Sequence, residues 1–182
     1  MNLIQRSQAG DEQAFAALFE QYKNLVYKTA YLMLDHTQEA EDALQEVFIQ
    51  VHDALPTYDP AKGAFTTWLY RVTVNYCHNR LRQRQPVQAI TDLPSGLLSD
   101  DGPPLEKQLA ERAMMQQAME RLSPKLRITV ILRYYAGLSY AEIAEVLAIP
   151  EGTVKSRLHQ AIKQLREVLA PEVTAVTSNE AA

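Results

Sequence analysis

Residues 139–169 read SYAEIAEVLAIPEGTVKSRLHQAIKQLREVL. Ser139 and Glu142 have the spacing of a capping box, in which a hydroxyl and a carboxylate three residues on satisfy each other's backbone N–H groups and open a helix. Pro150 separates that short helix from a second, predicted over about 151–169. Ile143, Val146, Leu147, Ile149, Val154, Leu158 and Ile162 recur where two helices meeting at a tight turn can share a core, and Ala144 is small enough to let them approach. The pattern is a helix-turn-helix, whose second helix enters the DNA major groove. Its outward residues are Thr153, Lys155, Ser156, Arg157, His159, Gln160 and Lys163. No carboxylate lies between Glu151 and Glu167, so this face can approach phosphates without repulsion. Lysine, serine and glutamine can also reach base edges.

Outward from this motif the pattern stays helical. Ser123-Pro124 opens a helix to about Tyr135 with a cap and a first-turn proline, and Gly137 stops it. A further helix is predicted over roughly 105–121. Residues 85–104 hold Pro86, Pro94, Gly96, Gly102, Pro103 and Pro104 with three aspartates, the composition of a flexible linker. Before it, Asp11 can cap a helix to about Leu34, and Thr37 can cap another to about Leu55. Pro56 and the segment 57–63 break the pattern, and a third helix runs from about Ala64 to Arg84. The predicted fold is all-α: two small helical domains joined by a flexible linker, the C-terminal one a helix-turn-helix. The boundaries are 1–84, an acidic linker at 85–104, 105–170, and a loose tail at 171–182.

Charge is banded along the chain. The net charge is −4, which argues against a general nucleic-acid binder. Yet residues 35–59 carry seven acids and no Lys or Arg, while 62–84 carry five bases and no acid. Residues 85–120 carry six acids against two bases, and 121–169 carry eight bases against four acids. Two basic bands suited to a phosphate backbone thus alternate with two acidic ones. In the helix at 64–84, Phe65, Trp68, Tyr70 and Tyr76 are interleaved with Arg71, Asn75, Asn79, Arg80, Arg82 and Arg84. Rings beside cations and amides suit unstacked single-stranded bases. Trp68, Leu69 and Val72, however, share one face and read as core, leaving the amides and arginines as the better DNA candidates.

Other classes of function find little support. Cys77 is the only cysteine, and none of His36, His52, His78 and His159 is spaced to close a metal site with it. Cys77 reads as a small buried core residue rather than a redox sensor. There is no Gly-rich phosphate loop and no nucleophile–base pair, so neither enzymatic activity nor a cofactor is expected. No apolar run approaches the roughly 18 residues of a membrane span, and a cytoplasmic protein is expected. A helix-turn-helix repressor would use residues 121–169 but leave the acidic and aromatic–basic helices without a role.

Three strings, in this order and spacing, resemble one family. EAEDALQEVFIQVHDALPTYD resembles the polymerase-binding segment of the extracytoplasmic-function (ECF) sigma factors of bacterial RNA polymerase. AFTTWLYRVTVNYCHNRL resembles their −10-reading, DNA-melting helix, and LSPKLRITVILRYYAGLSYAEIAEVLAIPEGTVKSRL their −35-reading domain. VTVNYCHNRL is most similar to the envelope-stress members. Family members often carry Arg at the position of Val74, Asp at Asn79 and Trp at His52, and some carry Arg at Gln160.

The resemblance implies that Asp42, Gln45 and Glu46 dock on the clamp helices of the largest polymerase subunit. It implies that the loop Thr57 to Gly63 receives a base flipped from the displaced strand, and that Asn75, Asn79 and Arg80, with Lys62 and Arg71, line the single-stranded −10 surface. Lys155, Ser156, His159 and Gln160, with Thr153, would read double-stranded −35 DNA while Arg133 and Arg157 grip phosphate. The acidic linker would follow the polymerase's RNA path. An anti-sigma factor is the expected silencing partner, able to hold the protein at the inner membrane face; neither membrane insertion nor an obligate homo-oligomer is expected.

Overall fold

Asn2 and Gln5 form a capping box, and a short helix, α1 (Leu3–Gln8), follows it. A computed structural model describes residues 2–83 and 105–179, with side chains over 2–83 and 113–170; the linker at 85–104 lies outside the described residues. Asp11 caps α2 (Glu12–Leu34) by accepting from the Ala14 N–H at 3.0 Å. His36, not Thr37, caps α3 (Thr37–Ala54). The reason is local: His36 is extended and its ring nitrogen faces the Glu39 N–H, while Thr37 already has its place in the first turn. The break at 55–63 contains two 3-10 turns, Leu55–Thr57 and Pro60–Lys62, and α4 spans Phe65–Gln83.

The helices group into two compact units. In the first, α2 packs on α1, α3 and α4 around Leu18, Val26, Val47, Phe48, Val51, Leu55, Tyr58, Phe65 and Leu69. The apolar spacing of α2 and α3 puts these residues on facing stripes, and burial of each aliphatic side chain contributes about 1.5–3 kcal/mol. Gln8 secures α1 to the break after α3, its amide donating to the Leu55 and Tyr58 carbonyls at 3.0 and 2.8 Å.

The second half of the chain contains α5 (Leu105–Glu120), α6 (Pro124–Val130), a π-helical turn (Ile131–Tyr135), α7 (Tyr140–Leu147), of which residues up to Ala144 belong to the second unit, and α8 (Glu151–Asn179). Ser123 occupies the cap of α6 but makes no side-chain capping bond; Pro124 sets the first turn instead. Arg127 closes the preceding corner, donating to the Met119 and Glu120 carbonyls at 3.0 and 2.8 Å and satisfying acceptors at the end of α5. Gly137, at φ +72°, ends the π-helical turn. The capping box of α7 is formed as expected: the Ser139 N–H donates to Glu142 at 2.8 Å, and the Glu142 N–H donates to the Ser139 hydroxyl at 3.2 Å.

The turn between α7 and α8 does not depend on Pro150 alone, as the spacing predicts. Ala148 takes the left-handed conformation at φ +51°. Its N–H donates to the Glu145 carbonyl at 3.3 Å, and that of Ile149 to the Ala144 carbonyl at 3.0 Å. This is a Schellman motif with alanine where glycine is usual. Pro150 instead accepts the first bonds of α8, from Thr153 and Val154. The helix then runs to Asn179, past the predicted end near 169 and through part of the expected tail. Pro171 costs such a helix a hydrogen bond, but no glycine follows it to supply a left-handed stop.

Candidate nucleic-acid interface

The recognition face of α8 is set by its buried stripe. Val154, Leu158 and Ala161 are buried, as are Ile143 and Val146 of α7. With about 100° per residue, that leaves Lys155, Ser156, His159, Gln160 and Lys163 on the opposite arc, all exposed. Thr153 and Arg157 are half-buried at its edges. The Ser156 hydroxyl donates to the Thr153 carbonyl at 3.0 Å and keeps its acceptor lone pairs. Lys163 lies 3.9 Å from Glu167, a loose surface pair. Arg133 is held more firmly than Lys155 or Lys163: it donates to the Leu138 carbonyl at 2.9 Å and lies 5.1 Å from the centre of the Tyr140 ring.

In the first unit, Arg71, Asn75 and Asn79 are exposed at four-residue intervals along α4, with Arg82 continuing the stripe. Arg80 is exposed but not part of it, since nine residues from Arg71 is about half a turn away. It neighbours Tyr76 instead. Burial raises the Tyr76 hydroxyl above its ordinary pKa of 10.0; Arg80 opposes that rise, and Glu46 and Asp42 add to it. Arg80 therefore shares its surroundings with the acidic side of α3. Of the four interleaved aromatics, Phe65 and Tyr70 are buried and Trp68 and Tyr76 half-buried. Tyr58, Phe65 and Trp68 pack on one another with ring centres 5.4–5.5 Å apart. Phe65 and Tyr70 are thus committed to packing, and the exposed side chains of α4 are the arginines and amides.

The loop before α4 is folded by its own contacts. Asp59 accepts from the Ala61 N–H at 2.9 Å, and the Tyr58 hydroxyl donates to the Gly63 carbonyl at 2.9 Å. Lys62 is exposed, 3.9 Å from the Asp59 carboxylate.

Asp42, Gln45 and Glu46 are all exposed on α3. Ile49, one turn beyond Gln45, is 56% exposed and lines an apolar groove with Phe15, Phe19, Gln45, Phe48 and His52. The sequence reading missed it, although an isoleucine off the buried stripe of a helix is a visible signal. Tyr134 and Tyr135, in the π-helical turn, are also exposed and were likewise missed. Among the described residues no group of His, Cys, Asp and Glu could hold a metal ion, and no helix is long and apolar enough to cross a membrane.

Comparison with known proteins agrees with this division. Residues 18–87 match the family model of Sigma-70 region 2, and residues 112–165 that of Sigma-70, region 4. The ECF RNA polymerase sigma factor SigW of Bacillus subtilis is 34% identical over 177 residues, covering 91% of this chain and 94% of SigW. The ECF RNA polymerase sigma-E factor of Escherichia coli is 33% identical over 182 residues, covering 93% of each chain. CnrH, solved in complex with the cytosolic domain of CnrY, has a similar fold: TM-score 0.71 at 21% identity, over 93% of this chain and 96% of that one. The all-α fold built from a region 2 and a region 4 is that of a sigma factor, a factor that gives RNA polymerase its promoter recognition. The chain belongs to the ECF sigma factors.

Proposed function

We propose that the chain docks on core RNA polymerase through the exposed face of α3 and delivers two DNA-reading surfaces to a promoter. The observation that carries this reading is the division of exposed charge. Asp42, Gln45 and Glu46 stand on one face of α3, while the exposed faces of α4 and of α8 between Glu151 and Glu167 bear amides and cations with no carboxylate. An acidic face that repels DNA is of use only if another partner covers it. Ile49 adjoins it and offers an apolar contact to the same partner.

In this reading Arg71, Asn75 and Asn79, with Lys62, follow the opened −10 strand. A base flipped from that strand enters the loop at 57–63, its unstacking cost of a few kcal/mol offset by that pocket. Arg80, on the side nearer α3, serves the boundary between DNA and polymerase. Lys155, Ser156, His159 and Gln160, with Thr153, read the −35 groove, and Arg133 and Arg157 hold its phosphates. Residues 1–84 and 105–170 form the two working domains, joined by an acidic linker that follows the RNA path. The protein works by binding; the polymerase performs the nucleotide chemistry. It acts in the cytoplasm and is held inactive by an anti-sigma factor, as the complexes of CnrH with CnrY and of the Bartonella quintana sigma factor RpoE with the anti-sigma factor NepR suggest by analogy.

The test is capture of purified core polymerase by the wild-type chain and by Asp42→Asn/Glu46→Gln. The wild type should retain core and the double variant should lose most of that binding. Equal retention by both would remove α3 from the interface.

A further inference from the structure

Three elements meet at Tyr140. Its ring opens α7, and its centre lies 5.1 Å from the guanidinium carbon of Arg133, in the π-helical turn, and 5.9 Å from Nζ of Lys155, near the start of α8. Arg133 is fixed a second time by its bond to the Leu138 carbonyl. Neither cation has a carboxylate partner among the described residues. Lysine carries its charge on a flexible stem that samples many rotamers, so an exposed Lys155 would ordinarily reach a ligand only after losing that freedom. The electron-rich face of an aromatic ring attracts cations and here gathers two that would otherwise repel each other. Two convergent positive charges without an internal anion favour an external one, and the exposed arc of α8 begins at Lys155.

We propose that Tyr140 is a positioning residue for −35 recognition: its ring holds Arg133 and Lys155 as a two-cation clamp for a DNA phosphate, which moves Lys155 from the groove-reading set to the phosphate-holding one. The ring performs the task, not the hydroxyl, and it sets the affinity and register of the helix rather than its base preference. The proposal rests on the reading of α8 as the −35 helix, and the experiment separates the two.

A promoter fragment is first identified by run-off transcription with wild-type holoenzyme, and a duplex carrying its upstream element is the probe. Holoenzyme binding is measured between about 50 and 200 mM salt, where each neutralised phosphate adds about 0.9 to the slope of log affinity against log salt. Tyr140→Phe should keep the wild-type affinity and slope. Tyr140→Leu, and replacement of Tyr140 by pentafluorophenylalanine, should bind several-fold more weakly at low salt. Each should also flatten the slope by about 0.9 for every phosphate no longer neutralised, with the same ranking of upstream-element variants. The fluorinated ring keeps the shape while removing the negative face, so it remains informative if the leucine variant folds poorly. Wild-type affinity and slope in the fluorinated protein would overturn the proposal, as would a Tyr140→Phe protein as weak as the fluorinated one. If Lys155→Gln and Arg133→Gln themselves leave affinity and slope unchanged, the −35 role of these residues falls as well. If they flatten the slope and the fluorinated ring does not, only the proposal about Tyr140 falls.

Discussion

Replacing Ala148 with glycine should stabilise the helix-turn-helix, whose turn lies within the region 4 match at residues 112–165. Ala148 sits at φ +51° in the Schellman turn between α7 and α8. For an L-residue with a Cβ this conformation costs roughly 1–2 kcal/mol, a cost glycine does not bear. Glycine in turn adds freedom to the unfolded chain, which removes about 0.4–1 kcal/mol. The difference lies between about 0 and 1.6 kcal/mol and centres near about 0.8 kcal/mol, or roughly 3–6 °C in melting temperature for a domain of this size. Gly137→Ala is the mirror experiment. A Cβ there would meet nothing within 4 Å, and φ is +72°, so the loss should be purely conformational and of similar size. The chain suits the assay, because Trp68 is its only tryptophan and belongs to the first unit. Tryptophan fluorescence therefore follows the first unit, while far-ultraviolet circular dichroism follows both. Ala148→Gly should raise the part of the dichroism transition that fluorescence does not report, and leave the fluorescence transition in place. An unchanged or lowered dichroism transition would refute the assignment of strain to Ala148.

Three other outcomes are expected. Glu142 is held below its ordinary pKa of 4.5, first by the Ser139 hydroxyl and then by the Ser139 N–H. A carboxylate lowered in the folded state stabilises above its unfolded pKa and loses that contribution as pH falls through the folded value. Acid melting below about pH 4.5 should therefore begin at higher pH in the wild type than the remaining carboxylates alone would give, and Glu142→Gln should flatten that part of the pH–stability curve. Cys77 is fully buried, and desolvation pushes its thiol up to about 12; a thiol reagent at neutral pH should label it only after denaturant unfolds the first unit, and rapid labelling of native protein would contradict its place in the core. Ile49→Ser exposes no new cavity, since Ile49 is already 56% exposed; it should leave the melting temperature nearly unchanged while weakening capture of core polymerase, and undiminished capture would exclude Ile49 from the interface.

What the sequence made legible was local. The capping box Ser139–Glu142, the stop at Gly137, the Asp11 cap and the buried stripes of α2, α3 and α8 depend on spacings of three or four residues, and periodicity resolves those. The capping box Asn2–Gln5 has the same spacing and is equally visible, as is the half-turn that separates Arg80 from Arg71; neither entered the sequence reading. Other features were not legible, because they depend on where elements meet. The convergence of Arg133 and Lys155 on Tyr140 joins three elements, and the left-handed Ala148 breaks the preference that would have marked a glycine. Composition showed aromatics beside cations in α4; only packing separated Phe65 and Tyr70, which are buried, from the exposed Arg71, Asn75 and Asn79.

The most direct measurement is run-off transcription from a genomic promoter library, with purified core polymerase in the presence and absence of this chain. Discrete transcripts that require the chain, and that vanish with Asp42→Asn/Glu46→Gln while that variant stays folded, are the expected result. A chain that neither associates with core polymerase nor directs it to any start site would contradict the assignment of α3 to docking and of α4 and α8 to promoter DNA.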